Sequence, residues 1–256
     1  MTALPPTHAS AVPDDRDILE GIDLVVFDKD GTLIDFHLMW TDWLAKLIGR
    51  LERETGLQLD PEMSVFLGVD PATGVVLPHG LMAATPMARI RDLVIGHLGR
   101  RGLDPAGAGR AVGVAWQPPD PVIAHPLADL PVLLTRLRQP GRRLAIATSD
   151  DRLPTERTVD ALGIAGLIDA TACADDGHPT KPAPDAVLAL CAALGIAPAR
   201  TAVVGDSPAD LRMGRSAGAG RVIGVLTGVG DRVSLEPLAD AVLDSVAALA
   251  PMGETA

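Results

Sequence analysis

The chain has 256 residues, 47% hydrophobic and 21% charged, enough apolar side chain for one large buried core or two small ones. That balance excludes a disordered or fibrous protein. The formal net charge of -11, with no tight basic cluster to offset it, excludes nucleic acid as a partner, because such a field repels phosphate backbones.

Residues 1–20 mix proline, histidine and acids without an apolar run, so they read as a loose tail and not as a signal or anchor. No later stretch approaches the roughly 20 apolar residues of a bilayer span, and the expectation is a soluble cytoplasmic protein without a membrane partner. Cys173 and Cys191 are too few for a disulfide framework and lack metal-ligand spacing, so they read as small buried hydrophobes in a reducing compartment.

The first buried strand is Leu24-Val25-Val26-Phe27, a short apolar run that stops abruptly at Asp28-Lys29-Asp30-Gly31-Thr32. Two aspartates two residues apart on an extended turn can face one small site, and Gly31 lets the chain bend behind them. A helical interval follows. Trp40, Trp43, Leu44, Leu47, Ile48 and Leu51 recur at helical spacing, and Thr85-Pro86 reads as the start of a second helix through Leu98. Residues 36–120 therefore read as an inserted helical cap, with Trp40 and Trp43 as its core in preference to a pocket wall. Residues 21–35 and 121–248 read as the catalytic core, and residues 249–256 as a C-terminal tail.

Beyond the insertion, the apolar runs at residues 144–147, 202–204 and 222–226 alternate with helical patterns at 130–138, 155–162, 184–194 and 210–217. That rhythm predicts an α/β fold, a doubly wound parallel sheet with right-handed crossovers. Each strand ends in chemistry. Thr148-Ser149 places a hydroxyl and successive N–H groups at the carboxyl edge of the sheet, where anions bind. Lys181, in Thr180-Lys181-Pro182, precedes a helix, so its ammonium and the helix N-terminus can act on one anion. Gly205-Asp206-Ser207-Pro208-Ala209-Asp210 offers two carboxylates about one helical turn apart, oxygen donors that suit Mg²⁺.

These four sets, in this order, resemble the motifs of the haloacid dehalogenase superfamily, and the resemblance extends from about Gly21 to Val246. It implies a Rossmann-like core with a helical cap inserted after the first motif. It also implies a nucleophile at Asp28, a general acid and base at Asp30, and Thr148, Ser149 and Lys181 as phosphate-binding residues. Mg²⁺ would be held by Asp28, the Asp30 carbonyl and Asp206, with Asp210 in the outer shell. Aspartate at position 30 favours phosphoryl transfer to water, since relatives with halide chemistry lack it. The expected reaction is hydrolysis of a small phosphorylated metabolite, in the manner of the phosphoglycolate phosphatase group; a sugar-phosphate mutase and a catalytically silent binding homologue are the alternatives. Residues 77–85 are the expected specificity loop, with His79 and Thr85 as its contacts. The second motif continues as Ser149-Asp150-Asp151, which adds negative charge beside the site. Lys29 carries no expected role, and Asp175 and Asp176 read equally as metal-water ligands or as an acidic turn.

Overall fold

The computed structural model describes residues 18–249, apart from 78–79, 86, 118–124 and 139–140. Among these residues, six strands form one parallel sheet: β1 (Leu24–Phe27), β2 (Arg143–Ala147), β3 (Ala170–Ala172), β4 (Thr201–Gly205), β5 (Arg221–Val225) and β6 (Ala241–Leu243). Their spatial order is β3-β2-β1-β4-β5-β6, so the chain reverses its direction of winding beside β1. The expected α/β class is borne out. In register, Phe27 lies between Ile146 and Val204, so the three strands stop level with one another. In open sheets of this kind the crevice outside those carboxyl ends is where ligands bind.

The strand sequences are apolar throughout because both faces are covered. Val25, Phe27, Leu144 and Ile146 pack on α6 (Leu130–Arg138), whereas Leu24, Val26, Ala145 and Ala147 face α8 (Asp185–Leu194) and α9 (Pro208–Ala217). The period of two that assigns residues to alternate faces is thus hidden when each face is buried. β3 and β6 escape a sequence reading for a different reason. Each has three residues, all but Ala172 half-buried, at the edge of the sheet, too short to leave a hydrophobic pattern. α7 (Arg152–Ala161) crosses from β2 to β3.

Among the described residues, five helices fill the interval between β1 and α6. The longest, α1 (Phe36–Thr55), starts where Asp35 Oδ1 accepts the Leu38 N–H at 3.0 Å and ends at Gly56, whose φ of 70° closes the last turn. Its apolar residues at three- and four-residue spacing bury one stripe against α4 (Met87–Arg100) and α5 (Pro105–Ala115). α2 (Glu62–Leu67) and α3 (Leu81–Ala84) complete the block. α5 has the sequence PAGAGRAVGVA, and three glycines make it a poor helix former in isolation. It is held by its context: the Asp104 side chain caps its N-terminus, and Ala108, Ala111, Val112 and Ala115 are buried against its neighbours. Trp40, Trp43 and Trp116 form a chain of edge-to-face contacts, with centroids 5.4 and 5.1 Å apart, and Trp43 donates its indole N–H to the Gln117 carbonyl at 2.7 Å.

Two boundaries differ from the sequence reading. Leu19, placed in the N-terminal tail, is fully buried beneath α6, and Leu249, placed in the C-terminal tail, is buried beside it. Asp17 and Glu20 hide Leu19 from a composition reading. The expected helix start at Thr85-Pro86 involves position 86, outside the described residues; Thr85 is extended, its N–H closes α3 onto Leu81, and α4 is described from Met87. Among the described residues no helix is long and apolar enough to cross a membrane, and both cysteines are free and buried.

Because all three tryptophans lie in the helical block, intrinsic fluorescence reports its unfolding. Leu47→Ala removes a fully buried side chain from the centre of that block. It should cost about 2–5 kcal/mol, read as a lowered urea midpoint followed by tryptophan emission.

Candidate active site

The site is assembled at the carboxyl edge of β1, β2 and β4. Asp28 follows β1 directly, and its N–H still bonds to the Val204 carbonyl of β4 at 2.8 Å, so its position is set by the sheet itself. Asp206 follows β4. Its two oxygens accept the Val229 N–H at 2.8 Å and the Thr32 hydroxyl at 3.4 Å. Asp210 lies in the first turn of α9, where Ser207 caps the helix and Asp210 Oδ2 reaches back to the Ser207 N–H and hydroxyl at 3.1 and 2.6 Å. One carboxylate oxygen from each of Asp28, Asp206 and Asp210 lies within 4.8 Å of the others, and all three residues are buried.

Lys181 pairs with two members of this cluster. Its Nζ lies 2.5 Å from Asp28 Oδ1 and 2.6 Å from Asp210 Oδ1. Burial pulls the ammonium pKa down, and Asp210 and Asp28 together outweigh it, so Lys181 is held charged well above the usual lysine range. Asp28 is pushed up to about 7, first by burial and then by Asp210 and Asp30, against the opposing pull of Lys181. Burial likewise lifts Asp206, and the Asp28 and Asp210 charges add to it. Three acids against one ammonium leave excess negative charge on groups that are largely withdrawn from water.

An all-oxygen donor set with that excess charge fits a hard divalent cation such as Mg²⁺. The turn behind it is shaped for close approach. Gly31 has φ of 91°, and a Cβ there would lie 2.6 Å from the Asp206 carboxyl carbon; a Cβ on Gly228 would strike the same carboxylate. The Thr227 hydroxyl ties these two turns together through the Gly31 carbonyl at 2.6 Å.

Lys29, for which the sequence suggested no role, is a second buried cation. It bridges Asp30 Oδ1 at 2.6 Å and Asp150 Oδ2 at 3.0 Å. The negative charge that Asp150 brings to the second motif is therefore neutralised in place. Asp30 is raised to about 6 by burial, with Lys29 pulling the other way and Asp150 pushing up.

Asp28, Asp30, Thr148, Ser149, Lys181, Asp206 and Asp210 all line one cavity of about 200 Å³. Thr148 is oriented by the Asp150 N–H, which it accepts at 3.1 Å. Of the two expected specificity contacts, Thr85 lines the same cavity, and His79 lies outside the described residues. Trp40, read as core, is both buried and part of the cavity wall. Phe36, Met82, Met87 and Val229 also line it and carried no motif by which to be found. Asp175 and Asp176 do not reach the cavity. They hold the start of α7, accepting from the Arg152 backbone N–H at 2.9 Å and from its guanidinium at 2.7 Å respectively.

Residues 22–218 match the family model of haloacid dehalogenase-like hydrolases, and the chain belongs to that family. It is 30% identical over 196 residues to a phosphoglycolate phosphatase of Rhodospirillum rubrum, covering 76% of each chain. Over 206 residues it is 28% identical to the N-acetylmuramic acid 6-phosphate phosphatase of Pseudomonas aeruginosa, covering 76% of this chain and 77% of that one. A match of 30% identity over 97 residues to an Aquifex aeolicus phosphoglycolate phosphatase takes in 38% of this chain and less than half of that enzyme, 46%. Among solved structures, a predicted phosphoglycolate phosphatase from Haemophilus somnus superposes with a TM-score of 0.66 at 21% identity, covering 89% of this chain and 96% of the other. A chain from Thermotoga maritima provisionally assigned to β-phosphoglucomutase gives 0.64 at 19% identity, with 89% and 96% covered. These likenesses establish the shared fold.

Removing one member of a buried ion-pair network strands the others. Lys29→Met should cost about 3–5 kcal/mol by leaving Asp30 and Asp150 unpaired. Adding Asp150→Asn should recover part of that loss, since one of the two stranded charges is then gone. Urea denaturation of wild type, both single variants and the double variant measures the coupling.

Proposed function

We propose that the protein is a Mg²⁺-dependent phosphatase that hydrolyses a small organic phosphate monoester through an aspartyl phosphate on Asp28. The observation that carries this reading is the meeting of a nucleophile-grade carboxylate, an ammonium, two further acids and a hydroxyl at one sheet edge, with Asp30 beside them in the same cavity. Family membership and the phosphatases among the relatives support it.

In this reading Lys181 and the Thr148-Ser149 turn bind and orient the phosphoryl oxygens. An Asp28 oxygen forms a bond to phosphorus as the ester P–O bond breaks, and Asp30 gives its proton to the departing alkoxide. Asp30 then takes a proton from water, whose oxygen attacks phosphorus; the bond to Asp28 breaks, and phosphate leaves. A group titrating near 6 suits both halves of that cycle. Asp28, Asp206 and the Asp30 carbonyl would hold Mg²⁺, which supplies charge neutralisation for the dianion. Asp210 is engaged by Lys181 on one oxygen and by Ser207 on the other, which suits an outer-shell role. The helical block that supplies Phe36, Trp40 and Thr85 would act as the cap over the substrate.

The cavity size favours substrates of about the dimensions of phosphoglycolate, below the roughly 300–1,000 Å³ of sites for drug-sized ligands. It also favours hydrolysis over a mutase cycle. A bisphosphate intermediate would press its second phosphoryl group on a wall where, among the described residues, no cation other than Lys181 lies. The free cysteines fit a reducing cytoplasmic location.

EDTA should abolish release of phosphate from p-nitrophenyl phosphate, and Mg²⁺ should restore it. Ca²⁺ should support it poorly, because its looser, higher coordination lets both Asp28 oxygens bind metal. Full turnover in excess chelator would overturn the metal assignment.

Asp28→Asn should abolish both adduct and turnover. Asp30→Asn should lose about 10²–10⁴ in rate with alkyl esters, yet with p-nitrophenyl phosphate it should still phosphorylate Asp28 and then stall. Mass spectrometry after acid quench reads the adduct, and its appearance on Asp30 would reverse the two roles.

A further inference from the structure

Lys29 and Asp150 carry no step of the reaction above, and they meet inside the protein. Lys29 is buried between the residues at 28 and 30. Its ammonium spans two strand ends, reaching Asp30 Oδ1 after β1 at 2.6 Å and Asp150 Oδ2 after β2 at 3.0 Å. Asp150 is a firm anchor for it. The Asp150 N–H donates to the Thr148 hydroxyl at 3.1 Å, and its carbonyl accepts the Ala174 N–H at 2.9 Å, so the backbone on which the carboxylate sits is tied to both β2 and the turn after β3.

The same contact sorts the two oxygens of Asp30. Oδ1 is engaged by the ammonium, whereas Oδ2 has no donor among the described residues and yet is not a buried orphan, so it keeps contact with solvent. Asp30 lines the cavity with 14% of its side chain exposed. An ammonium only donates, so the oxygen it grips only accepts, and a proton carried by the Asp30 carboxyl sits on Oδ2. An unbraced aspartate would sample several rotamers and present either oxygen. Lys29 removes that freedom and leaves Oδ2 uncovered.

Resting on the phosphatase reading above, we infer that Lys29, anchored by Asp150, is a positioning residue that holds Asp30 so that Oδ2 is the atom that gives and takes the proton. In the first half-reaction the proton passes from Oδ2 to the ester oxygen as the bond from that oxygen to phosphorus breaks. In the second, Oδ2 takes a proton from the water whose oxygen bonds to phosphorus as the bond to Asp28 breaks. Lys29 keeps its own protons throughout. Without the brace the same carboxyl is present but misplaced, and a displacement of about 1 Å can cost on the order of 10² in rate. The loss falls on leaving groups that need a proton and spares those that do not.

Lys29→Met tests this on the Mg²⁺-supplemented protein with n-propyl phosphate, whose alkoxide needs a proton, and p-nitrophenyl phosphate, whose phenolate does not. Single-turnover formation of the Asp28 adduct, trapped by acid quench, should slow about tenfold or more with the propyl ester. It should stay within about threefold with the nitrophenyl ester, which calls on the same Asp28, Lys181 and Mg²⁺ but not on the acid. Equal losses would make Lys29 a support of the fold or of Asp28 and overturn the inference, as would no loss with either ester. In an Asp30→Asn background, Lys29→Met should cost the propyl ester no more than about twofold further, because the group it positions is gone; a full additional loss overturns the assignment. Should Lys29→Met fail to fold, Asp150→Asn decides, since it keeps the backbone contact to Thr148 and removes only the anchoring charge. It should slow the propyl ester about threefold or more and leave the nitrophenyl ester within about twofold; equal losses or an unchanged propyl rate overturn the inference. Crystal structures of wild type and of the variant that folds read the brace without turnover. The variant should show the Asp30 carboxylate rotated or spread over more than one rotamer, and an unmoved Asp30 overturns the inference. If wild type forms no adduct with either ester, the phosphatase reading fails, and the crystal comparison still decides whether Lys29 holds Asp30.

Discussion

Lys181 joins Asp28 to Asp210 across the carboxyl edge of the sheet, and the rest of the site is built around the charge that this one ammonium cannot balance. A carboxylate buried alone would simply take up a proton. Here Asp28 and Asp206 are lifted towards that state by burial and mutual repulsion, while Lys181 restrains Asp28 and the Val229 N–H restrains Asp206. Such a site is poised for a divalent cation and a phosphate together. In the proposed reading the cation would compensate the acids, and the dianion would be admitted only once they are compensated.

Lys29 plays the corresponding part on the other side of the first motif. By holding Asp30 and Asp150 it divides the acids into two groups, one around Lys181 and one around itself. The division lets two aspartates only two residues apart take different work. Asp28 is presented by the sheet ladder to the cluster with Asp206 and Asp210, and Asp30 is held by a cation of its own. Close packing of glycines on Asp206 fixes the third acid, because any side chain at Gly31 or Gly228 would displace its carboxylate.

The helical block contributes the opposite kind of surface. Its own core is a run of aromatic and aliphatic contacts between α1, α4 and α5, and the residues that spill from it into the cavity are of the same apolar kind. Charge is therefore confined to the half of the cavity that the sheet supplies. In the proposed reading one half would bind the phosphoryl group and the other would sort the remainder of the ligand, so chemistry and selectivity would rest on different parts of the chain.

The sequence by itself determined what depends on local pattern. Uninterrupted apolar runs specify buried parallel strands, and the polar residues that end them are placed at one edge by the direction the strands share. Asp28, Thr148 and Asp206 were legible for that reason, Lys181 from the helix it precedes, and the helical insertion from its own spacing. Only the tertiary structure decided the contacts between distant positions. Lys181 meets Asp28 across 153 residues, and Thr32 meets Asp206 across 174. The same holds for Lys29, whose partner Asp150 lies on another strand end, and for α5, whose glycines deny it any intrinsic helical signal until α1 and α4 bury its alanines. Trp40 combines both cases. Its spacing placed it on the buried stripe of α1, but whether its N–H found a partner depended on which atoms the folded chain brought within reach, and there Trp43 met a carbonyl while Trp40 met none.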